Sequence, residues 1–214
     1  MTRDPGTTPA AGMLLIVSAP SGAGKTSLVA ALLERDAQLV VSISHTTRPM
    51  RPRERDGVDY HFIDGAEFQR MARAGEFLEH AEVFGNRYGT SSAAVDGDRT
   101  AGRDVILEID FQGARQIRQR YPEAQSVFIL PPSRAALEER LRKRQQDDPA
   151  VIQQRLEKAV WEMSNYAEYD YLVVNDDFDT ALCDIESIIR AERLRLPAQR
   201  QRLEPLLNDL LSGS

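Results

Sequence analysis

Apolar residues fall along this chain in short unbroken runs rather than in strict alternation. Met13-Leu14-Leu15-Ile16-Val17 is the first and Leu39-Val40-Val41-Ser42-Ile43 the second. Val105-Ile106-Leu107-Glu108-Ile109, Ser126-Val127-Phe128-Ile129-Leu130 and Tyr171-Leu172-Val173-Val174 follow. Such runs, rich in β-branched residues and bounded by turns, predict strands buried on both faces, and the amphipathic stretches between them predict helices lying over the sheet. The class is therefore α/β, a parallel β-sheet core flanked by helices and joined by right-handed crossovers.

The rhythm breaks between His45 and Tyr88. A polar loop rich in Arg and Pro covers 45–57; after Tyr60-His61-Phe62-Ile63 a helix is predicted over 66–74, then strands over Phe77–Val83 and at Arg87-Tyr88. This reads as a small α+β insertion over 45–88 in a core made of 13–44 and 89–196. Past Ser133 the pattern is helical: Arg134–Arg144, then 150–167, then 180–211 with a break at Pro197. Residues 1–12 form a loose tail and 197–214 a helical one that can pack on its own domain or on a neighbouring subunit, which leaves a homo-oligomer open. Cys183, Trp161 and Met163 lie in apolar helical patterns and are expected to pack.

Composition narrows the function. The 214 residues carry 27 Lys plus Arg against 33 Asp plus Glu, a net charge of −6, which argues against a nucleic-acid polymer or an anionic membrane as partner. No apolar run is long enough to span a bilayer. The single Cys183 forms no internal disulfide and fits a reducing cytoplasm. His45, His61 and His80 lack metal-ligand spacing, so no zinc site is expected.

One segment carries explicit chemistry. Ala19-Pro20-Ser21-Gly22-Ala23-Gly24-Lys25-Thr26-Ser27 lies between the first predicted strand and the first helix. Glycines there let successive backbone N–H groups converge on phosphate oxygens at the positive end of a helix. Lys25 suits the β- and γ-phosphates and the Thr26 hydroxyl a Mg²⁺ ion, so a nucleoside triphosphate is the expected ligand. The generic loop begins with Gly where this one has Ala19. A partner carboxylate is expected at a strand end, and Asp110 closes the third run with Glu108 one pleat earlier; Asp110 is equally placed to cap a helix. Asp110-Phe111-Gln112-Gly113 imitates a GTPase switch, but none of the three lysines opens the Lys-x-Asp half of a guanine-reading element.

Beyond the loop, Ser44-His45-Thr46-Thr47-Arg48-Pro49-Met50-Arg51, Gly57-Val58-Asp59-Tyr60-His61-Phe62, Gly75-Glu76-Phe77-Leu78-Glu79, Gly85-Asn86-Arg87-Tyr88-Gly89-Thr90, Asp110-Phe111-Gln112-Gly113 and Val174-Asn175-Asp176-Asp177 follow one another in a fixed order. In this the chain resembles the guanylate kinase family, in its bacterial form, from about Met13 to Arg195. The resemblance implies a P-loop NTPase-type core, a GMP-binding insertion and a helical lid over about 134–158. It also implies phosphoryl transfer from ATP to GMP or dGMP with Mg²⁺, held by Thr26 and Asp110 partly through water. Arg48 and Arg51 can grip a nucleotide phosphate bidentately, and the resemblance adds Tyr60 and Tyr88 to them. By resemblance Glu79 and Asp110 meet the N1–H and N2–H₂ edge of guanine, Ser44 and Thr90 lie near O6, and Asn175 lies near the ATP adenine. Arg140, Arg144 and Arg155 match lid arginines that neutralise the ATP phosphates, with Gln145 standing where the family commonly has Gly. Two other readings stay open on sequence: another nucleotide kinase with the same loop, or a non-catalytic guanylate-kinase-like interaction module.

Overall fold

Each of the five runs is a strand of a single parallel sheet. The computed structural model describes residues 11–83, 85–144 and 149–212; most of the predicted tail over 1–12, and Gln145, lie outside them. The strands are β1 (Leu14–Ser18), β2 (Leu39–Val41), β7 (Asp104–Glu108), β8 (Gln125–Leu130) and β9 (Tyr171–Val174), in spatial order β2-β7-β1-β8-β9. Period-two alternation splits the apolar set between two faces. Leu15, Val17, Ile106, Val127 and Ile129 face one side, where α1 (Lys25–Arg35) and α7 (Phe178–Arg193) cover them through Leu28, Leu32, Leu182 and Ile185. Leu14, Ile16, Val105, Leu107 and Phe128 face the other, covered by α3 (Ser92–Thr100) and α4 (Phe111–Arg120) through Val95, Ala114 and Ile117. Truncating any of the fully buried Leu or Ile side chains should cost about 2–5 kcal/mol.

A second sheet, β4 (His61–Phe62), β3 (His45–Thr46), β6 (Asn86–Ser91) and β5 (Phe77–Val83) in that order, carries α2 (Gly65–Arg73) against it through Phe68, Met71 and Phe77. The predicted 45–57 loop is thus corrected at its start. Thr46 is wholly buried and its hydroxyl donates to the Arg87 carbonyl at 3.0 Å, which makes this segment the middle of a sheet. β3 pairs parallel with β4 and antiparallel with β6.

The C-terminal third differs from expectation in four places. α5 (Arg134–Arg144) is followed by α6 (Pro149–Met163), which stops short of 167; a separate 3₁₀ turn covers Tyr166–Glu168, with the Asn165 side chain donating to the Trp161 carbonyl at 3.0 Å at the break. The 180–211 stretch breaks twice, giving α7, α8 (Leu196–Arg202) and α9 (Glu204–Leu211), because Pro197 and Pro205 each fit only a helix's first turn. Cys183 is exposed, since α7 buries the stripe Ala181, Leu182, Ile185 and Ile189 and Cys183 lies off it. Trp161 is likewise exposed, edge-on to Phe111, because α6 turns Leu156 and Ala159 to the small core it shares with Leu137 and Leu141 of α5. No described helix is long and apolar enough to cross a membrane.

Candidate active site

A parallel sheet collects its loops at the carboxyl ends of the strands, and ligands bind where neighbouring strands send their connections to opposite faces. β1 is such a strand, flanked by β7 and β8, and the Gly-rich loop leaves its end. Gly22 and Gly24 hold φ values of 92° and 96° there, left-handed conformations that residues with a Cβ rarely adopt. α1 then begins at Lys25 on a Gly24 cap with no capping side chain, whereas α2, α3, α4 and α7 start on Asp64, Ser91, Asp110 and Asp177. The first-turn amides of α1 are therefore left to an external acceptor, and their partial positive charge favours an anion. Ala19 packs against the apolar core, so the absent first glycine leaves the loop's fold intact. Ser27 follows within the first turn of α1.

Two carboxylates reach this loop. Glu108, the last residue of β7, accepts from the Thr26 hydroxyl at 3.3 Å and lies 4.0 Å from the Lys25 ammonium. Asp110, placed by sequence equally at the metal and at a helix cap, takes the cap role here. Its Oδ1 accepts from the Gln112 and Gly113 amides, both at 3.0 Å, and its Oδ2 from the Gln112 side chain at 3.1 Å. The strand ends at Glu108, so alternation does not extend to 110, and Asp110 turns into the cap of α4. The second carboxylate is Glu162 of α6, whose Oε2 lies 3.4 Å from the Ser21 amide. Burial raises its carboxyl above the usual range, with Lys158 opposing.

Across from the loop a cavity of about 930 Å³ opens toward the second sheet, its walls shared by Ser21 and Thr26 on one side and Ser44, Arg48, Arg51, Tyr60 and Tyr88 on the other. Arg155 of α6 and Glu108 also line it. Arg48 is fixed from three directions. It bonds Glu54 at 2.8 Å and the Pro49 carbonyl at 2.8 Å, and lies 5.4 Å from the centre of the Tyr60 ring. The Glu54 hydrogen bond holds the guanidinium even more firmly protonated than usual. Glu54 also takes the Arg51 amide at 2.8 Å and lies 3.9 Å from its guanidinium. One carboxylate thus gathers both arginines, a role that its place three residues past Arg51 did not announce. Tyr60 and Tyr88 meet edge to face at 5.9 Å.

Glu79 and Thr90 are cross-strand partners on β5 and β6, and the Thr90 hydroxyl donates to Glu79 Oε1 at 2.6 Å. Glu79 is 4% exposed, and that burial, with Asp110 adding to it, pushes its pKa up to about 7. Its other oxygen lies against Gly113 of α4, where a Cβ would fall 2.5 Å from Oε2. Only the missing side chain at Gly113 lets the carboxylate reach the Asp110 turn. Gly113→Ala should cost about 1–3 kcal/mol by overpacking, read as a lower urea midpoint; an unchanged midpoint would show the contact to be slack.

Arg140 and Asn175, two further sequence candidates, lie outside that cavity wall. Arg140 of α5 points back to the sheet and donates to the Asn175 carbonyl at 3.0 Å. Asn175, 5% exposed after β9, spends its side-chain amide on the Ala23 carbonyl at 2.7 Å. Arg144 ends α5. Among the described residues no group of three or more His, Cys, Asp or Glu forms a metal cage.

Comparison with known proteins agrees with this architecture. A model of the guanylate kinase family matches residues 11–192. The chain is 60% identical over 200 residues to the guanylate kinase of Alkalilimnicola ehrlichii, covering 94% of this chain and 98% of that protein. It is 58% identical over 207 residues to the guanylate kinase of Escherichia coli, covering 95% and 99%. Among solved structures, the guanylate kinase from Anaplasma phagocytophilum superposes with a TM-score of 0.78 at 34% identity, covering 96% of this chain and 98% of that one.

Proposed function

This chain belongs to the guanylate kinase family, and from that premise we propose how its residues carry the γ-phosphoryl group of ATP to GMP, giving ADP and GDP. The observation that carries the reading is the shared cavity, in which Ser21 and Thr26, at the uncapped start of α1, face Arg48, Arg51 and two tyrosines. It supplies two anion sites opposite each other, as transfer between two phosphates demands.

The loop amides from Ser21 to Thr26 and the Lys25 ammonium hold the ATP phosphates. Arg48, Arg51, Tyr60 and Tyr88 take the GMP phosphate, which displaces Glu54 from the guanidinium groups. Arg140, Arg144 and Arg155 neutralise charge from the lid side. Transfer is direct and in line, because the acceptor phosphate is already an anion and needs no general base; positioning and charge neutralisation supply the rate. Thr26 and Glu108 offer the hard oxygen donors that suit Mg²⁺, which when bound with ATP neutralises phosphate charge. Glu108 rather than Asp110 is therefore assigned to that ion.

Glu79, with Asp110 beside it, reads the N1–H and N2–H₂ edge of guanine, and Ser44 and Thr90 serve O6. Nothing in this set addresses the ribose, so dGMP is an acceptor as well. A coupled ADP-release assay with GMP, dGMP, AMP, CMP and UMP tests the assignment; AMP turning over as fast as GMP would end it.

The raised Glu79 pKa adds a pH signature. Guanine needs the ionised carboxylate, which presents two acceptor oxygens, and below a pKa of about 7 that form becomes the minority. Apparent GMP affinity scales with the ionised fraction, so KM for GMP should rise about tenfold from pH 8 to pH 6. In Glu79→Gln that slope should be absent; an identical slope would assign the titration elsewhere.

A further inference from the structure

Asn175 is tied at once to the sheet, to the phosphate loop and to an arginine of α5. Its backbone N–H continues the β8–β9 pairing by donating to the Leu130 carbonyl at 2.8 Å. Its side-chain Nδ2 donates to the Ala23 carbonyl at 2.7 Å, across 152 positions of sequence. Its own carbonyl accepts from Arg140 Nη2 at 3.0 Å. The amide fills the space over Gly24, where a Cβ would lie 2.3 Å from Nδ2.

The consequence follows from peptide geometry. In a trans peptide the C=O and N–H of one unit point in opposite directions, and the described chain has no cis bond. Holding the Ala23 oxygen inward therefore turns the Gly24 N–H the other way, toward the side on which the phosphate must lie. Without that anchor the peptide joining Ala23 to the left-handed Gly24 is freer to flip, since a flip changes φ at Gly24 and glycine tolerates either sign there.

We propose that Asn175 is a positioning residue for phosphoryl transfer, its side chain fixing the Ala23–Gly24 peptide so that the Gly24 amide faces the phosphate and its carbonyl setting Arg140 in register with that loop. Family resemblance alone places this residue beside the ATP adenine; here its amide is already committed to the loop. The inference rests on the phosphotransferase reading above.

The test is steady-state kinetics of Asn175→Ala and the equal-sized Asn175→Asp, which cannot donate to the Ala23 carbonyl. ATP and GTP serve in turn as donors, with GMP as acceptor. Misplacement of about 1 Å in a reacting assembly costs up to roughly a hundredfold, so kcat with ATP should fall about tenfold to a hundredfold in both variants. KM for GMP should move less than about twofold. The ratio of ATP to GTP in kcat/KM should stay within about threefold of the parent, because no base contact has been removed. Arg140→Ala should cost less in the Asn175→Ala background than in the parent, since coupled residues are not additive. Collapse of the ATP preference would make Asn175 a base-reading residue, and unchanged kcat would make its amide idle; either overturns the proposal. Strictly multiplicative losses with Arg140→Ala would remove the register between the two. A parent enzyme that fails to turn over ATP with GMP would instead overturn the functional reading.

Discussion

Lys25→Ala is expected to lower kcat by about a hundredfold to a thousandfold, the range seen when one preorganised charge-stabilising donor is removed from a site where negative charge develops. Lys25 stands at the first position of α1, beside Thr26, 4.0 Å from Glu108. The amides around it are fixed dipoles; Lys25 adds a full charge on a flexible stem that can follow the phosphoryl group as it moves. Stability should hardly change. The Lys25–Glu108 pair is 22% exposed on both sides, and partly exposed pairs of this kind contribute about 0–1 kcal/mol. The urea midpoint of the variant should match the parent while turnover collapses. Lys25→Arg should not restore the rate, because a planar guanidinium is larger and demands paired acceptors. A variant that keeps more than about a tenth of parental kcat, at the same midpoint, would take Lys25 out of the transfer step.

The sheet was legible because strands buried on both faces read as unbroken apolar runs, and the loop was legible because phosphate binding needs glycines and a lysine at fixed spacing. Contacts between distant segments were not. Glu108 and Asp110 look equivalent in sequence, two apart at the end of a run, and only the turn at 109–110 sends one to Thr26 and the other to the amides of α4. Asn175 matched its family position, yet its bond to Ala23 joins residues 152 apart in sequence and leaves no local pattern. Glu54 organises Arg48 and Arg51 from within a polar loop, and nothing in its sequence position set it apart from the charges beside it. Two-residue strands such as β3 and β4 are too short for any period to register. Cys183 and Trp161 failed for a related reason: membership in an apolar stretch does not say which side of the helix meets the core.

Glu79→Gln should separate function from stability more sharply than any other change in the site, moving the two in opposite directions. Gln keeps the size of Glu79 and can still accept the Thr90 hydroxyl bond of 2.6 Å. Against guanine, however, it presents one acceptor and one N–H₂ where the base offers donors at both N1 and N2. A buried donor facing a donor is penalised far more than a lost contact, and sites built on such bonds discriminate strongly between bases. kcat/KM for GMP should fall about a hundredfold or more, and the preference for GMP over AMP should narrow by a similar factor. Folding should respond the other way. Glu79 has its pKa raised from an ordinary 4.5 to about 7 by burial, so the folded state binds its proton more tightly than the unfolded state does. The parent therefore loses stability as pH rises from about 4.5 toward 7, and above 7 bears the full cost of an ionised carboxylate in the interior, on the order of 3 kcal/mol. Glu79→Gln is neutral throughout and escapes that cost. Its unfolding free energy at pH 8 should exceed the parent's, and the difference should shrink as both are taken to pH 5. Equal loss of stability at every pH would mean that Glu79 serves packing; a GMP preference that survives the substitution would mean that guanine is read elsewhere. The prediction follows from one geometric fact, a carboxylate held almost dry between Thr90 and the open face of Gly113. Such a group is costly to the empty protein and is offset only when a ligand brings two N–H donors to it, which makes the same burial the source of both the instability and the selectivity.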